Sequence, residues 1–195
     1  MFSKNYELED CFAKLVVYDR NHDNEFSLVM YLRVLFSKFS GLRMISKRYI
    51  SSRYHLLKLI DNSIEHNYKY GFSHTYNVTA LVVFSKSIKI SVDLESKNRN
   101  IHHSLENKLC NMFPNINLSV LKVISILECL VKLSVIPSLT DKKSGISNFD
   151  NLTIKYDKKD SIITSTIKGK NMYSKFIDVQ NLTLCLTTNK ARLLS

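Results

Sequence analysis

The sequence predicts an α+β chain in which strands and helices come first and only strands follow. Apolar residues recur at helical spacing in four segments of the first two thirds, whereas the last third alternates apolar and polar residues over short runs. The chain has 195 residues, of which 45% are hydrophobic, and this is enough for one core. Its 4 glycines and 2 prolines are too few for a series of tight hairpins or for long disordered linkers.

The first half of the chain contains three predicted strands and two predicted helices. Each helix follows a residue that can cap it, Asn24 or Ser46, and carries apolar side chains on one face. The two later strands are separated only by a short polar link, which predicts that they pair. In chain order the elements are the strand Leu15–Tyr18, the helices Glu25–Phe39 and Lys47–Asn62, and the strands Val78–Phe84 and Ile88–Glu95.

The second half contains two predicted helices and three predicted strands. The longer helix is apolar over about the length that spans a bilayer. It also carries two lysines and a glutamate, which are costly at bilayer depth, so we expect a core helix and no membrane span. In chain order the elements are the helices His102–Met112 and Leu118–Ile136 and the strands Leu152–Tyr156, Ser161–Ile167 and Leu182–Leu186.

The charge of the chain favours anionic partners. Lysine and arginine number 28 against 17 acidic residues, which gives a formal net charge of +11. Nucleic acids, phosphorylated cofactors, acidic proteins and membrane surfaces all fit such a balance. A basic nucleic-acid-binding domain rests on this charge alone, because the sequence has no base-stacking or groove-reading motif. We therefore expect no nucleic-acid partner.

The cysteines and the N-terminal residues indicate a reducing compartment. None of the four cysteines forms a C-x-x-C pair, and Cys129 and Cys185 lie in apolar runs where a buried free thiol is expected. The segment Met1–Asp10 is acidic and lacks the apolar stretch of a signal peptide. These observations predict a cytoplasmic protein.

Two carboxylates share one face of the strand Ile88–Glu95. Because side chains alternate along a strand, Asp93 and Glu95 lie on the same side, opposite the apolar residues of the strand. Two such carboxylates repel each other unless a positive charge lies between them. A hard cation such as Mg²⁺ prefers these oxygen ligands together with phosphate oxygens. The alternative is an ordinary solvated strand face.

The helix Leu118–Ile136 carries a narrow polar stripe on an otherwise apolar surface. Its members follow one another at spacings of three, three and four residues, which places them on one side of the helix. An ordinary salt bridge between Glu128 and Lys132 is one interpretation. The apolar surroundings favour burial, however, and a buried charge needs a stronger reason to be present. The members are Lys122, Ser125, Glu128 and Lys132.

Further candidate phosphate ligands lie upstream. Ser73 and His74 can offer a hydroxyl and an imidazole to a phosphate, although a turn-capping role is the alternative. They do not form a catalytic dyad, because adjacent side chains of an extended chain point apart. Arg48 and Arg53 have the forked donors that suit phosphate, with a surface role as the alternative.

Taken in order, these residues resemble the 4′-phosphopantetheinyl transferase superfamily, and most closely the type that includes the enterobactin synthase component D. The family patterns are a Ser-His pair, a Gly-[Ile/Val]-Asp-[Ile/Leu]-Glu strand, and a helix reading [Trp/Phe]-x-x-Lys-Glu-x-x-x-Lys. The likeness covers about Ser46–Lys132. The residues that carry it are Arg48, Arg53, Ser73, His74, Val92–Glu95, Glu128 and Lys132.

The resemblance implies one domain over residues 1–195, with a pseudo-twofold fold whose similar α/β halves cover roughly 1–100 and 101–195. It implies an Mg²⁺-dependent enzyme of secondary metabolism, which transfers the phosphopantetheine arm of coenzyme A to a serine of an acyl or peptidyl carrier protein. The resemblance also implies that Mg²⁺ binds Asp93, Glu95 and Glu128 and that Glu128 is the catalytic base. Lys132 is catalytic and neutralises phosphate charge, and the remaining coenzyme A ligands are Arg48, Arg53, Ser73 and His74.

Several positions depart from the family patterns. Ser91 stands where the family has glycine, Ile124 where it has an aromatic residue, and Leu127 where it has lysine. A Gly-[Lys/Arg]-Pro pattern upstream of the Ser-His pair is absent from the sequence. These departures leave open an alternative, a catalytically degenerate member of the fold that acts as a binding or interaction protein.

Overall fold

The computed structural model describes residues 2–8, 11–19, 68–75, 78–141, 145–146, 149, 151–158 and 160–194. The predicted helices Glu25–Phe39 and Lys47–Asn62 lie outside these residues, as do Arg48 and Arg53. These elements and the two arginines therefore remain predictions.

The first sheet is antiparallel and has four strands in the order β1-β2-β4-β3. The predicted strand Leu15–Tyr18 is the second part of β2, and β1 pairs with β2 from Phe2 opposite Val17 to Leu8 opposite Cys11. Strands β1 and β3 were not predicted, although Tyr68, Tyr70 and Phe72 alternate with polar residues or glycine along β3. The strands are β1 (Phe2–Leu8), β2 (Cys11–Asp19), β3 (Tyr68–Thr75) and β4 (Val78–Ser85).

The second sheet is also antiparallel and has five strands in the order β5-β11-β10-β9-β8. The prediction that β4 and β5 pair is wrong, because β5 pairs with β11 from Ile90 opposite Thr188 to Ser96 opposite Leu182. The central strand β10 was not predicted. The strands are β5 (Ile90–Ser96), β8 (Leu152–Asp157), β9 (Ile162–Ile167), β10 (Lys170–Val179) and β11 (Leu182–Thr188), and a separate short hairpin pairs β6 (Thr140–Asp141) with β7 (Gly145–Ile146).

Two helices, α1 (His103–Met112) and α2 (Val120–Lys132), connect β5 to the later strands. Helix α2 is shorter than predicted, because the Ser119 side chain accepts a hydrogen bond from the Lys122 amide at 3.4 Å and so caps its start. Soon after its last turn, Ser134 has a φ of 54°, a left-handed conformation that a helix cannot continue through. Within the described ranges, no helix has both the length and the apolar composition needed to cross a membrane.

Strand β5 is buried on both faces. One face adds Ile90, Val92 and Leu94 to an apolar cluster that also contains side chains of β4. Helix α2 covers the other face, where it packs across β5 and β11. The described residues thus form a mixed α and β structure with antiparallel sheets, in agreement with the α+β prediction, and the polar face of β5 lies beneath a helix.

Candidate functional site

The two carboxylates of β5 lie in the interior, beneath helix α2. Asp93 is 5% exposed and Glu95 is 9% exposed, so the interpretation of this strand face as solvated is wrong. The strand alternates as predicted, but the face opposite the apolar residues meets a helix and not water. Burial of two neighbouring carboxylates is unfavourable unless other groups compensate their charge.

Asp93 receives hydrogen bonds from two different elements. Lys132, in the last turn of α2, donates from Nζ to Asp93 Oδ1 at 2.8 Å and to the Val92 carbonyl oxygen at 2.9 Å. Ser73 Oγ of β3 donates to the same Oδ1 at 3.1 Å. In the described part of the chain, the ion pair of Lys132 is therefore with Asp93, and the alternative interpretation of a salt bridge between Lys132 and Glu128 is wrong.

The second oxygen of Asp93 has no such partner. Oδ2 is buried and accepts no hydrogen bond from the residues that the structure describes. A buried carboxylate oxygen left in this state is costly, and it is the kind of atom that a cation or a hydroxyl group satisfies. Among the described residues, Asp93 therefore has one oxygen that accepts two hydrogen bonds and one that accepts none.

Glu95 pairs with a cation that the sequence analysis did not identify. Arg99, in the turn after β5, donates from Nη1 to Glu95 Oε1. Burial raises the pKa of Glu95, the negative charge of Asp93 raises it further, and Arg99 opposes the shift by its charge and its hydrogen bond. In the sequence, the only indication of this pair is that a basic residue follows Glu95 by four positions. The segment around Arg99 is polar, so a basic residue there does not stand out.

Glu128 approaches the same group from helix α2. Burial raises the pKa of Glu128, and the nearby charge of Asp93 adds to this effect, while Lys132 and Arg99 lower it. Electrostatic coupling thus links Glu128 to both the carboxylates and the cations of the cluster. A glutamate with a raised pKa is a better proton acceptor than an ordinary one, which suits a general base.

The rest of the polar stripe on α2 also faces the protein. Lys122 Nζ lies 5.0 Å from the centre of the Phe176 ring, a distance at which a cation is attracted to an aromatic face. Ser125 is fully buried, and its Oγ has no hydrogen-bond partner among the described residues. The predicted burial of the stripe is therefore confirmed only for Ser125, since Lys122 and Glu128 are partly exposed and Lys132 is exposed.

Ser73 and His74 lie within strand β3, an element that was not predicted from the sequence. Their side chains take opposite sides, since Ser73 is buried against Asp93 whereas His74 is exposed. Adjacent residues of a strand alternate in this way, so the two form no dyad. Ser73 belongs to the cluster. Arg48 and Arg53 lie outside the described residues.

Cys129 and Cys185 are buried free thiols, as predicted. Cys185 lies opposite Asp93 in the register of β11 and β5, and the Cys129 thiol donates to the Cys185 carbonyl oxygen at 3.7 Å. Burial raises the pKa of the Cys185 thiol. The Cys185 thiol therefore stays protonated, and both cysteine side chains pack beside the cluster in an apolar environment.

The chemistry of the donors suits a hard divalent cation. Three carboxylates, one of which has a buried oxygen without a partner among the described residues, supply oxygen ligands only, which Mg²⁺ prefers. In the arrangement seen, however, no three histidine, cysteine, aspartate or glutamate side chains of the described ranges are placed to hold one metal ion together. Arg99 and Lys132 neutralise the carboxylates instead.

The comparisons with known proteins do not assign the chain to a family. No family model matches the sequence, and the search of curated proteins finds no match.

Proposed function

We propose that the chain is an Mg²⁺-dependent 4′-phosphopantetheinyl transferase. Its substrates are coenzyme A and the serine hydroxyl of an acyl or peptidyl carrier protein. In the reaction the serine oxygen forms a bond to the phosphorus that bears the pantetheine arm. The bond from that phosphorus to the bridging oxygen breaks, and 3′,5′-ADP leaves.

One observation carries the proposal, the convergence of three separated sequence motifs on Asp93. Ser73 is 20 residues away in the sequence and Lys132 is 39 residues away, yet both donate to the same carboxylate oxygen. Glu95 and Glu128 lie close enough for their charges to influence each other. Five of the residues on which the resemblance rests thus form one cluster, which a chance likeness of unrelated positions would not require; they are Ser73, Asp93, Glu95, Glu128 and Lys132.

Each residue has a role that follows from its surroundings. Asp93, Glu95 and Glu128 are the carboxylates that would hold Mg²⁺, which supplies charge neutralisation on the pyrophosphate. The raised pKa of Glu128 favours removal of the proton from the carrier serine. Lys132 is anchored on Asp93 and the Val92 carbonyl at the end of α2, where it can offset charge that develops on the departing phosphate.

The fold belongs to the same proposal. The resemblance implies a pseudo-twofold arrangement with halves over about 1–100 and 101–195 and coenzyme A bound between them. The contact of β3 with β5 supports it, because Ser73 of the four-stranded sheet meets Asp93 of the five-stranded sheet at the junction. Ligands between two subdomains commonly bind where their elements meet.

The direct test is incubation with coenzyme A, Mg²⁺ and apo-forms of several acyl and peptidyl carrier proteins, followed by mass spectrometry. We expect one carrier serine to gain the phosphopantetheine group. Glu128→Gln removes the base and should slow the transfer by about 10²–10⁴-fold. Glu106→Gln makes the same chemical change on α1, at an exposed residue outside the cluster, and should leave the rate unchanged.

The alternative is a catalytically degenerate member of the fold that binds but does not transfer. Ile124 and Leu127 favour it, because they stand where the family has an aromatic residue and a lysine and are buried in the apolar cluster. Calorimetry with coenzyme A, run beside the transfer assay, separates the two. Binding without modification of any carrier, or full transfer by the Glu128→Gln variant, would contradict the enzyme proposal.

A further inference from the structure

Arg99 occupies a special position in the carboxylate cluster. Its backbone amide donates to the Ser96 carbonyl at 3.0 Å, which fixes the turn after β5. From that turn the Arg99 side chain extends back to Glu95, which is the only described residue that accepts a hydrogen bond from the guanidinium. The Arg99 side chain is 42% exposed, whereas that of Glu95 is almost completely covered. The guanidinium thus neutralises a buried carboxylate from the solvent side.

The two cations of the cluster are held differently. Lys132 has two acceptors in the protein, the Val92 carbonyl and Asp93, and these fix its ammonium in place. Arg99 has a single acceptor and a half-exposed side chain, so it can leave Glu95 for water without leaving a second acceptor unpaired. The charge of Arg99 also reaches Glu128, which lies on a different element.

A divalent cation shared by Glu95 and Glu128 would use the same oxygens. The Glu95 oxygen that accepts a hydrogen bond from Arg99 cannot at the same time fully coordinate a metal ion. Two cations at one carboxylate also repel each other. Arg99 is therefore the group that a metal ion at this oxygen of Glu95 must displace.

We infer that Arg99 is a built-in counter-cation that competes with the divalent cation for Glu95. The inference rests on the proposed function only for the identity of the metal-holding carboxylates. Arg99 keeps the buried cluster stable while no metal ion is bound, and it weakens the binding of metal alone. It is a positioning residue, because it acts through Glu95 and not on the reacting atoms.

The test measures the affinity for Mn²⁺ alone, with neither coenzyme A nor a carrier present. Electron paramagnetic resonance counts the free Mn²⁺ at each concentration of the wild-type chain and of its variants. We expect Arg99→Gln to bind Mn²⁺ about tenfold more tightly than the wild type, because one opposing charge is gone. Arg99→Lys retains that charge and should resemble the wild type.

Two controls separate this effect from a general change in charge. Lys97→Gln removes a cation from the same turn, but Lys97 pairs with Asp178 at 3.2 Å, outside the cluster. The Mn²⁺ affinity of this variant should therefore stay within about twofold of the wild type. In a Glu95→Gln background, Arg99→Gln should produce a much smaller gain, because the contested carboxylate is absent and only the longer-range charge effect on Glu128 remains.

The outcomes are distinct from those of the transfer assay. Tighter Mn²⁺ binding by the Arg99→Gln variant supports the inference even if the wild type binds too weakly to measure and even if no carrier is modified. Equal or weaker binding by this variant, an equal gain in the Lys97→Gln variant, or no binding by any of the chains would overturn it.

Discussion

Asp93 shows how a buried charge is made tolerable in this protein. Its Oδ1 accepts from Lys132 and Ser73, and these bonds offset part of the cost of burying the carboxylate. Its Oδ2 is buried and has no hydrogen-bond partner in the part of the chain that the structure describes, and the neighbouring Glu95 and Glu128 have raised pKa values. Unfavourable groups of this kind concentrate at functional sites, because a binding site needs groups that are not already satisfied.

Glu128 should make the protein less stable at neutral pH than a neutral residue would. Its pKa is raised above the usual value of 4.5, so the folded state holds the proton more tightly than the unfolded state does. Stability therefore falls as pH rises through the window between 4.5 and the raised value. We expect Glu128→Gln to increase the unfolding free energy by about 0.5–2 kcal/mol at pH 7, with a gain that shrinks below pH 4.5.

Urea unfolding of both chains across this pH range measures the effect. Glu106→Gln, at an exposed position of α1, serves as the control and should change stability by no more than about 0.5 kcal/mol at any pH. A Glu128→Gln variant that is less stable than the wild type at pH 7, or a gain that does not depend on pH, would contradict the account.

At the scale of elements, the close contact of β3 with β5 brings Ser73 to Asp93. Gly71 makes this approach possible, because a Cβ at that position would lie 3.4 Å from Val82 Cγ1 and 3.7 Å from the Ile90 carbonyl oxygen and the Ser91 Cα. A single methyl group fits there in ordinary contact. A larger side chain must push β3 away from β5.

Gly71→Val should therefore destabilise the fold, since its two further methyl groups enter space that Val82 and β5 already fill. We expect a loss of about 1–3 kcal/mol in the unfolding free energy, measured by urea denaturation. Gly71→Ala is the matched control and should differ little from the wild type. Equal stability of the Gly71→Val and wild-type chains would show that the two strands are not as tightly packed as described.

Elements and contacts could be predicted where the sequence pattern that indicates them lies within one short segment. The alternation around Asp93 and the spacing of Glu128 and Lys132 are local, and they correctly predicted a strand face and a helix stripe. The partner of β5 was predicted wrongly, because pairing with β11 joins residues that are distant in the sequence. The contact of Ser73 with Asp93 crosses two sheets, and the pair of Arg99 with Glu95 lies in a turn, so periodicity indicated neither.

At the scale of the whole molecule, the two sheets meet along β3 and β5, and helix α2 covers the polar side of β5 beside this junction. The net charge of +11 is consistent with the proposed partners, because coenzyme A is a polyanion and carrier proteins are acidic. The buried carboxylates and the positive net charge thus favour the same kind of ligand, an anionic group that binds through a divalent cation.

The central claim is that Asp93, Glu95 and Glu128 hold a divalent cation on the pyrophosphate of coenzyme A. The most direct measurement is a crystal structure with coenzyme A and Mn²⁺, in which anomalous scattering locates the metal ion. We predict one peak at about 2.0–2.2 Å from carboxylate oxygens of these residues and from the pyrophosphate, with Arg99 released from Glu95. Coenzyme A and Mn²⁺ bound at a place that none of the three carboxylates touches would contradict the account.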